Sequence, residues 1–202
     1  MDTLSYDLKT QLYNHYFPEL EALLIAYHND KTKITVGNRL ALSKSGKRLK
    51  SLCLGIRGPL FLSARKDTSL NPHLTAHTQT KEGNDIYKII FSIISMVFPS
   101  FVFNSVIVNY DSNFLMHKDD RNMSSHSVMF TIGEHAGGGL RIYDDNEKLI
   151  DTLYIDHYPI KFAGKSTYHS TEPFTGTRYC IVAYETRPRL VYDPYEKEIY
   201  PI

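Results

Sequence analysis

Residues 101–110 read FVFNSVIVNY, and SHSVMFTIG (125–133), GGLRIYD (138–144), KLIDTLYI (148–155), YPIKFAG (158–164) and TRYCIVAYE (177–185) follow in quick succession. Each run is short, rich in branched and aromatic residues, and set off by turn-forming residues. Short strands at such close spacing predict a β-sandwich or barrel. Upstream the pattern changes. Ile86, Ile89, Ile90, Ile93, Ile94 and Val97 recur at i, i+3, i+4, i+7 and predict a helix that Pro99 ends. Leu4, Leu8, Leu12 and Tyr16 predict an earlier helix, and a second is expected from Pro18 to about His28, because proline suits a first helical turn. KITVGNRLAL (33–42) and RLKSLCLGI (48–56) read as a hairpin turning at SKSGK (43–47), with strands from Ile34 to Ile56. Residues 64–83 are polar and irregular, and loops of that length are often functional or mobile. The expected organisation is one domain over 1–202, with helical support and a hairpin in 1–100, a barrel core in 101–186 and a tail in 187–202. That tail holds three prolines and three tyrosines and is expected to pack across the barrel.

Composition bounds the function. A chain of 202 residues, 42% apolar and 22% charged, is that of a soluble globular protein, and needs neither disulfide nor structural metal to fold. The formal net charge of +1 supplies no global field toward nucleic acid or acidic membrane, so any polyanion contact must be a local patch. Lys44, Lys47, Arg48 and Lys50 around the expected hairpin turn are one candidate, and a solvated tip is the other reading. Cys53 and Cys180 make neither a zinc-finger set nor a disulfide framework, which implies a reducing, intracellular setting in cytoplasm or nucleus. MDTLSYDLKT (1–10) is polar and mixed in charge, unlike a signal peptide. The longest apolar stretch, Ile86–Phe98, includes Lys88 and is too short to span a bilayer, so no membrane is expected.

The chemistry-bearing residues lie among the strands. His117-Lys118-Asp119 places two ligands on one side of an extended segment, since strand side chains alternate. His169 would arrive from a distant strand. Two imidazoles and one carboxylate, leaving one face open, is the ligand set of non-haem Fe(II) oxygenases, in which the open positions take a chelating cosubstrate and oxygen. A lone His-x-Asp is weak, and a surface histidine beside an acidic turn is its plain alternative. Asp120 is a rival to Asp119, but its side chain should point the other way. Arg178, Cys180, Val182 and Tyr184 share one face of the strand after His169. There a guanidinium could pair bidentately with the distal carboxylate of the cosubstrate. The structural alternatives are an edge salt bridge for Arg178 and core packing for Tyr184. Gly137, Gly138 and Gly139 allow a tight turn or a close backbone approach, and no helix follows to make them a phosphate cradle. His126 and His135 read as structural or surface residues.

The run NYDSNFLMHKDDRNMSSHSVMFTIGEHAGGGLRI (109–142), followed by FAGKSTYHSTEPFTGTRYCIVAYE (162–185), resembles the oxygenase core of the TET/J-binding-protein group. These are Fe(II) and 2-oxoglutarate enzymes that oxidise the 5-methyl group of pyrimidines in nucleic acid. The signature is HKDDRN, a strand, GGGL, then His169 and Arg178. The resemblance implies an α+β fold, a double-stranded β-helix (jelly-roll) barrel with supporting N-terminal helices. It implies iron on His117, Asp119 and His169, and 2-oxoglutarate on Arg178. Asn122 would contact the base and Tyr184 would stack on it after flipping, because a methyl group inside a duplex cannot reach the metal. Asn109 and Tyr110 could touch the cosubstrate. Cys180 stands where the TET enzymes carry a serine near the cosubstrate, and Thr186 where they place a histidine against cytosine. The latter leaves both 5-methylcytosine and thymine as substrates. The resemblance further implies a compact, virus-encoded or microbial member, monomeric, acting on DNA rather than RNA, with oxygen as the second substrate. Two alternatives stand beside it: the same oxidation on a protein residue or small molecule, in the manner of a prolyl hydroxylase, and a catalytically silent barrel that reads modified nucleic acid.

Overall fold

The computed structural model describes residues 5–30, 50–56, 74–120, 122–186 and 190–201. The first hairpin strand, the turn bearing Lys44, Lys47 and Arg48, and residues 64–73 of the irregular 64–83 segment lie outside the described residues. From Leu74 the chain is pinned to Gly55 and Ile56 by a β-bridge and hydrogen bonds. Leu74 bridges Ile56, Thr75 N–H donates to Gly55 O at 3.0 Å, and Gly55 N–H donates to Thr78 Oγ1 at 2.6 Å.

The first helical layer differs from expectation at Pro18. Helix α1 (Tyr6–Gln11) runs through a π-helical turn (Leu12–Tyr16) into α2 (Phe17–Asn29) without a break. Proline lacks an N–H and crowds the preceding turn, which normally ends a helix. Here the turn before it widens, with Phe17 N–H donating to Leu12 O, and the wider turn accommodates the ring. Helix α3 (Lys81–Val97) follows its isoleucine pattern. Thr80 caps it by accepting the Gly83 N–H at 3.1 Å, and Ile86, Ile90, Ile93 and Ile94 are fully buried. Among the described residues no helix is long and apolar enough to cross a membrane.

Among the described residues twelve strands follow the helices or lie between them. The major sheet is antiparallel, in the order β1 (Lys50–Gly55), β2 (Ser105–Tyr110), β10 (Tyr179–Tyr184), β3 (Ser127–Ile132), β7 (Ile160–Phe162). The minor sheet is β6 (Leu149–Leu153), β5 (Leu140–Tyr143), β8 (Tyr168–Thr171), and a single rung at His117 adds a fourth segment beside β8. From β2 onward the chain crosses repeatedly between the two sheets, which makes the fold an α+β double-stranded β-helix, a jelly roll, with helices on the outer face of the major sheet. Two further ribbons pair β4 (His135–Gly137) with β9 (Phe174–Gly176) and β11 (Leu190–Asp193) with β12 (Glu198–Pro201).

The major sheet is buried on both faces, so its central strands are apolar throughout rather than alternating. Tyr179, Ile181 and Ala183 of β10 join Phe130, Val106 and the helices in the larger core. Cys180 and Val182, on the opposite face, join Ile107, Met129, Leu140, Ile155 and Phe162 between the sheets. Among the described residues the tail does not cross the barrel as expected. It docks on α3, with Tyr192 O–H donating to Asn84 Oδ1 at 2.7 Å and Asn84 Nδ2 donating to Pro194 O at 3.1 Å. Burying these partners together satisfies an otherwise costly amide.

Ile93 has no exposed surface and sits on the face of α3 that meets the sheet. Ile93→Ala is expected to destabilise the fold by about 2–5 kcal/mol, read as a lower denaturant midpoint at unchanged slope.

Candidate metal centre and its cavity

His117 and His169 face each other as one antiparallel rung. His117 N–H donates to His169 O at 3.0 Å, and His169 N–H donates to His117 O at 2.9 Å. Each imidazole is then set by its own strand. Nδ1 of His117 lies 2.7 Å from Leu115 O, and Nδ1 of His169 lies 2.9 Å from Thr167 O. A carbonyl only accepts, so each Nδ1 carries the proton in the neutral ring and each Nε2 is left with a lone pair. Asp119 arrives two residues after His117, its N–H donating to Gly164 O at 2.9 Å. A side chain at Gly164 would press on the Phe162 ring at 3.0 Å and reach Asp119 Oδ2 at 3.4 Å, so the ring would have to give way for anything larger than hydrogen.

The two lone pairs and the carboxylate converge. Asp119 Oδ1 lies 3.7 Å from His117 Nε2 and its Oδ2 lies 3.8 Å from His169 Nε2, and one donor atom from each residue falls within 4.8 Å of the others. These separations exceed a hydrogen bond, yet they suit donors around one ion with metal–ligand bonds of about 2.0–2.2 Å. Burial pushes the His169 imidazole below its ordinary value, and the neighbouring His117 adds to the shift. The ring is therefore neutral near pH 7, the form that binds metal. Asp120 is exposed and absent from the group that Asp119 forms with the two histidines.

The triad lines a cleft enclosing about 570 Å³, part of it open to solvent, whose walls include Asn109, Asn122, Ser170, Arg178, Cys180 and Tyr184. Arg178 is 2% exposed, and Nη2 donates to Gly138 O at 2.8 Å while Nε and Nη1 have no hydrogen-bond partner. A buried cation with unused donors is costly unless an anion meets it. The residues therefore fit a chelating dicarboxylate: a triad that could hold a metal ion and, in the same cleft, a guanidinium in want of a carboxylate. Burial pushes the Cys180 thiol up, an effect that the nearby Arg178 only partly offsets, so it stays protonated beside the cleft.

Not every expected residue reaches this space. Asn122 does, its amide Nδ2 donating to Ser127 Oγ at 3.3 Å, and so does Tyr184 at the end of β10. Thr186 does not line the cleft, a correction to the sequence expectation. It lies beyond the end of β10, where alternation no longer governs direction. Its N–H donates to Asn104 Oδ1 at 2.9 Å and its hydroxyl pairs with Ser105 Oγ at 2.7 Å. Of Asn109 and Tyr110, only Asn109 faces the cleft. The Tyr110 ring packs on His28 at 3.5 Å and under the Lys50 ammonium at 5.4 Å. His126 is exposed beside Ser125, and His135 sits against Asp156, both away from the triad. Phe114, Met129, Ser170 and Thr171 line the cleft without having been singled out. Ser170 and Thr171 directly follow His169 on β8, and that adjacency was the available signal.

No protein-family profile and no curated protein matches this sequence. Among solved structures the chain is similar to a prolyl-4-hydroxylase from Pseudomonas putida, at 12% identity and a TM-score of 0.45, over 90% of this chain and 98% of that one. It is also similar to a prolyl hydroxylase from Trichoplax adhaerens in complex with a hypoxia inducible factor oxygen degradation domain peptide fragment, at 14% identity and a TM-score of 0.47, over 90% of this chain and 79% of that one. Likeness at this level does not bear on what this chain acts on.

Burial pushes His28, His77, His135 and His169 below the ordinary imidazole value of 6.5. A depressed value in the folded state means that protons favour the unfolded chain. Stability is then full above the unfolded value and falls as pH drops through 6.5 toward the lowered values. The melting temperature of metal-free protein is expected to hold from about pH 8 to 7 and decline by about pH 5, and a flat profile would contradict the shifts.

Proposed function

We propose that the chain is an Fe(II)- and 2-oxoglutarate-dependent dioxygenase. The observation that carries this reading is the pairing, in one cleft, of the His117–Asp119–His169 triad with the buried, under-bonded Arg178. His117, Asp119 and His169 would hold the iron, and Arg178 would take the distal carboxylate of 2-oxoglutarate. Once bound, the iron would couple oxidative decarboxylation of 2-oxoglutarate to succinate with insertion of one oxygen atom into a substrate C–H bond. The protein's own contribution is placement. Two backbone-anchored imidazoles and one carboxylate leave a single open face, and the apolar wall of Ile107, Met129, Leu140 and Val182 limits water around it. Asn109 is 4% exposed with an unpartnered Oδ1 in the same wall, so it offers a further polar contact to whatever binds.

For the substrate, the HKDDRN signature and its resemblance to the TET/J-binding-protein group favour the 5-methyl group of a pyrimidine in DNA. Asn122 and Tyr184, an amide and a phenol ring lining the cleft, suit a planar base swung out of its stack. Thr186, bonded away from the cleft, supplies no cytosine-reading contact, so thymine and 5-methylcytosine are both retained. The net charge of +1 fits a protein or small-molecule substrate equally, and the first experiment separates these outcomes.

Purified protein, loaded anaerobically with Fe(II) and 2-oxoglutarate, is given oxygen and DNA carrying thymine and 5-methylcytosine. Nucleoside mass spectrometry is expected to find one added oxygen on one of the two, dependent on 2-oxoglutarate. Succinate without a modified nucleoside would keep the oxygenase and redirect the search to protein or small molecules. Replacing His117 and Asp119 together by alanine is expected to abolish succinate, and full turnover in that variant would remove the ligand assignment. Arg178→Ala is expected to weaken 2-oxoglutarate binding by about 3–5 kcal/mol, the scale for stripping one partner from a buried ion pair, while metal affinity stays unchanged.

A further inference from the structure

Arg178 stands just before β10, and its main chain is locked from both sides. Its N–H donates to Asp111 Oδ1 at 2.8 Å, and the Asp111 N–H donates back to Arg178 O at 2.9 Å. The side chain is a different matter, because a long arginine has many rotamers and loses entropy when one is fixed. Among the described residues no carboxylate forms an ion pair with it. Gly138, which directly follows β4, and Phe174 of β9 constrain it instead. The Gly138 carbonyl accepts from Nη2 at 2.8 Å, and the Phe174 ring centre lies 5.3 Å from Cζ, within cation–π range. Both contacts fall beside the same rung, Gly137 opposite Phe174. Gly138 also has φ +80°, and a Cβ there would lie 2.7 Å from Nε, 2.9 Å from Cδ and 3.2 Å from Phe174 Cβ. Only a glycine can adopt this backbone and let the guanidinium lie against it.

We propose that the β4–β9 ribbon sets cosubstrate selectivity, with Gly138 and Phe174 as positioning residues that hold Arg178 toward the cleft and so favour a 2-oxo diacid over a 2-oxo monoacid. This rests on the 2-oxoglutarate reading above. A carbonyl dipole and a ring face hold a cation without neutralising it, whereas a carboxylate in either place would consume its charge. The ribbon therefore orients Arg178 and leaves Nε and Nη1 for an incoming carboxylate. A monoacid such as pyruvate has the same chelating end and no distal carboxylate, so its binding is indifferent to where Arg178 points.

That difference supplies the test. Full-length protein loaded anaerobically with Fe(II) is titrated calorimetrically with 2-oxoglutarate and with pyruvate. Wild type is expected to prefer the diacid. Phe174→Leu is expected to lose about 30-fold in 2-oxoglutarate affinity, the equivalent of one desolvated cation–π contact of about 2 kcal/mol, with Fe(II) and pyruvate affinities unchanged. Gly138→Ala is expected to show the same selective loss, and Phe174→Tyr, which keeps the ring face, to retain the preference. Parallel weakening of both acids in Phe174→Leu, or an unaltered preference for the diacid, would overturn the proposal while leaving the cosubstrate reading intact. Absence of diacid preference in wild type would overturn both.

Discussion

The rung that joins His117 to His169 by two reciprocal backbone hydrogen bonds governs the rest of the site. In an antiparallel pair, residues that exchange both bonds sit directly opposite with side chains on one face, about 5.5 Å apart at Cα. Two imidazoles distant in the chain are thereby brought to ring-centre contact of 4.4 Å before any metal contributes. Their orientation follows from the same strands, since each Nδ1 is occupied by a carbonyl two residues upstream. Asp119 completes the set because it is two steps along the same extended segment. The preorganised donors are a consequence of sheet geometry, and the neutral state of His169 is a consequence of burial.

The cost of this arrangement falls on Arg178. A buried guanidinium with idle donors opposes folding, and the fold tolerates it because the adjoining β10 is apolar and packed on both faces. Stability and function here draw on the same strand. Ile181 and Ala183 secure the sheet to the helices, and Cys180, Val182 and Tyr184 form the cleft wall on the other side.

Much of this was legible because short runs of branched and aromatic residues mark the strands and period-two geometry sorts the side chains of the site. FVFNSVIVNY, SHSVMFTIG and TRYCIVAYE contain β2, β3 and β10, and the isoleucine spacing marks α3. The grouping of His117 with Asp119 followed from alternation, and Asp120 was set aside by the same rule. The misses have local causes. Thr186 came from the family resemblance alone, and it lies past Tyr184, where the strand has already ended and Asn104 and Ser105 offer hydrogen bonds. Pro18 was read as a beginning because the pattern does not show that a π-helical turn can absorb it. Ribbon strands of three residues, such as β4 and β9, are too short to display a period. The tail's destination depended on Asn84, a buried amide in α3 whose need for partners is invisible until the helix is packed.

The two-faced character of β10 bears on how this protein can change over evolutionary time. Its odd positions belong to the helix-backed core and its even positions to the cleft. Removing one residue from the middle of the strand would exchange the two sets beyond that point, sending cleft-facing groups into the helical layer and core groups into the cleft. Such a lineage would lose its pocket and its packing in the same step. Divergence in this segment should therefore proceed by substitution, with length variation confined to the turns.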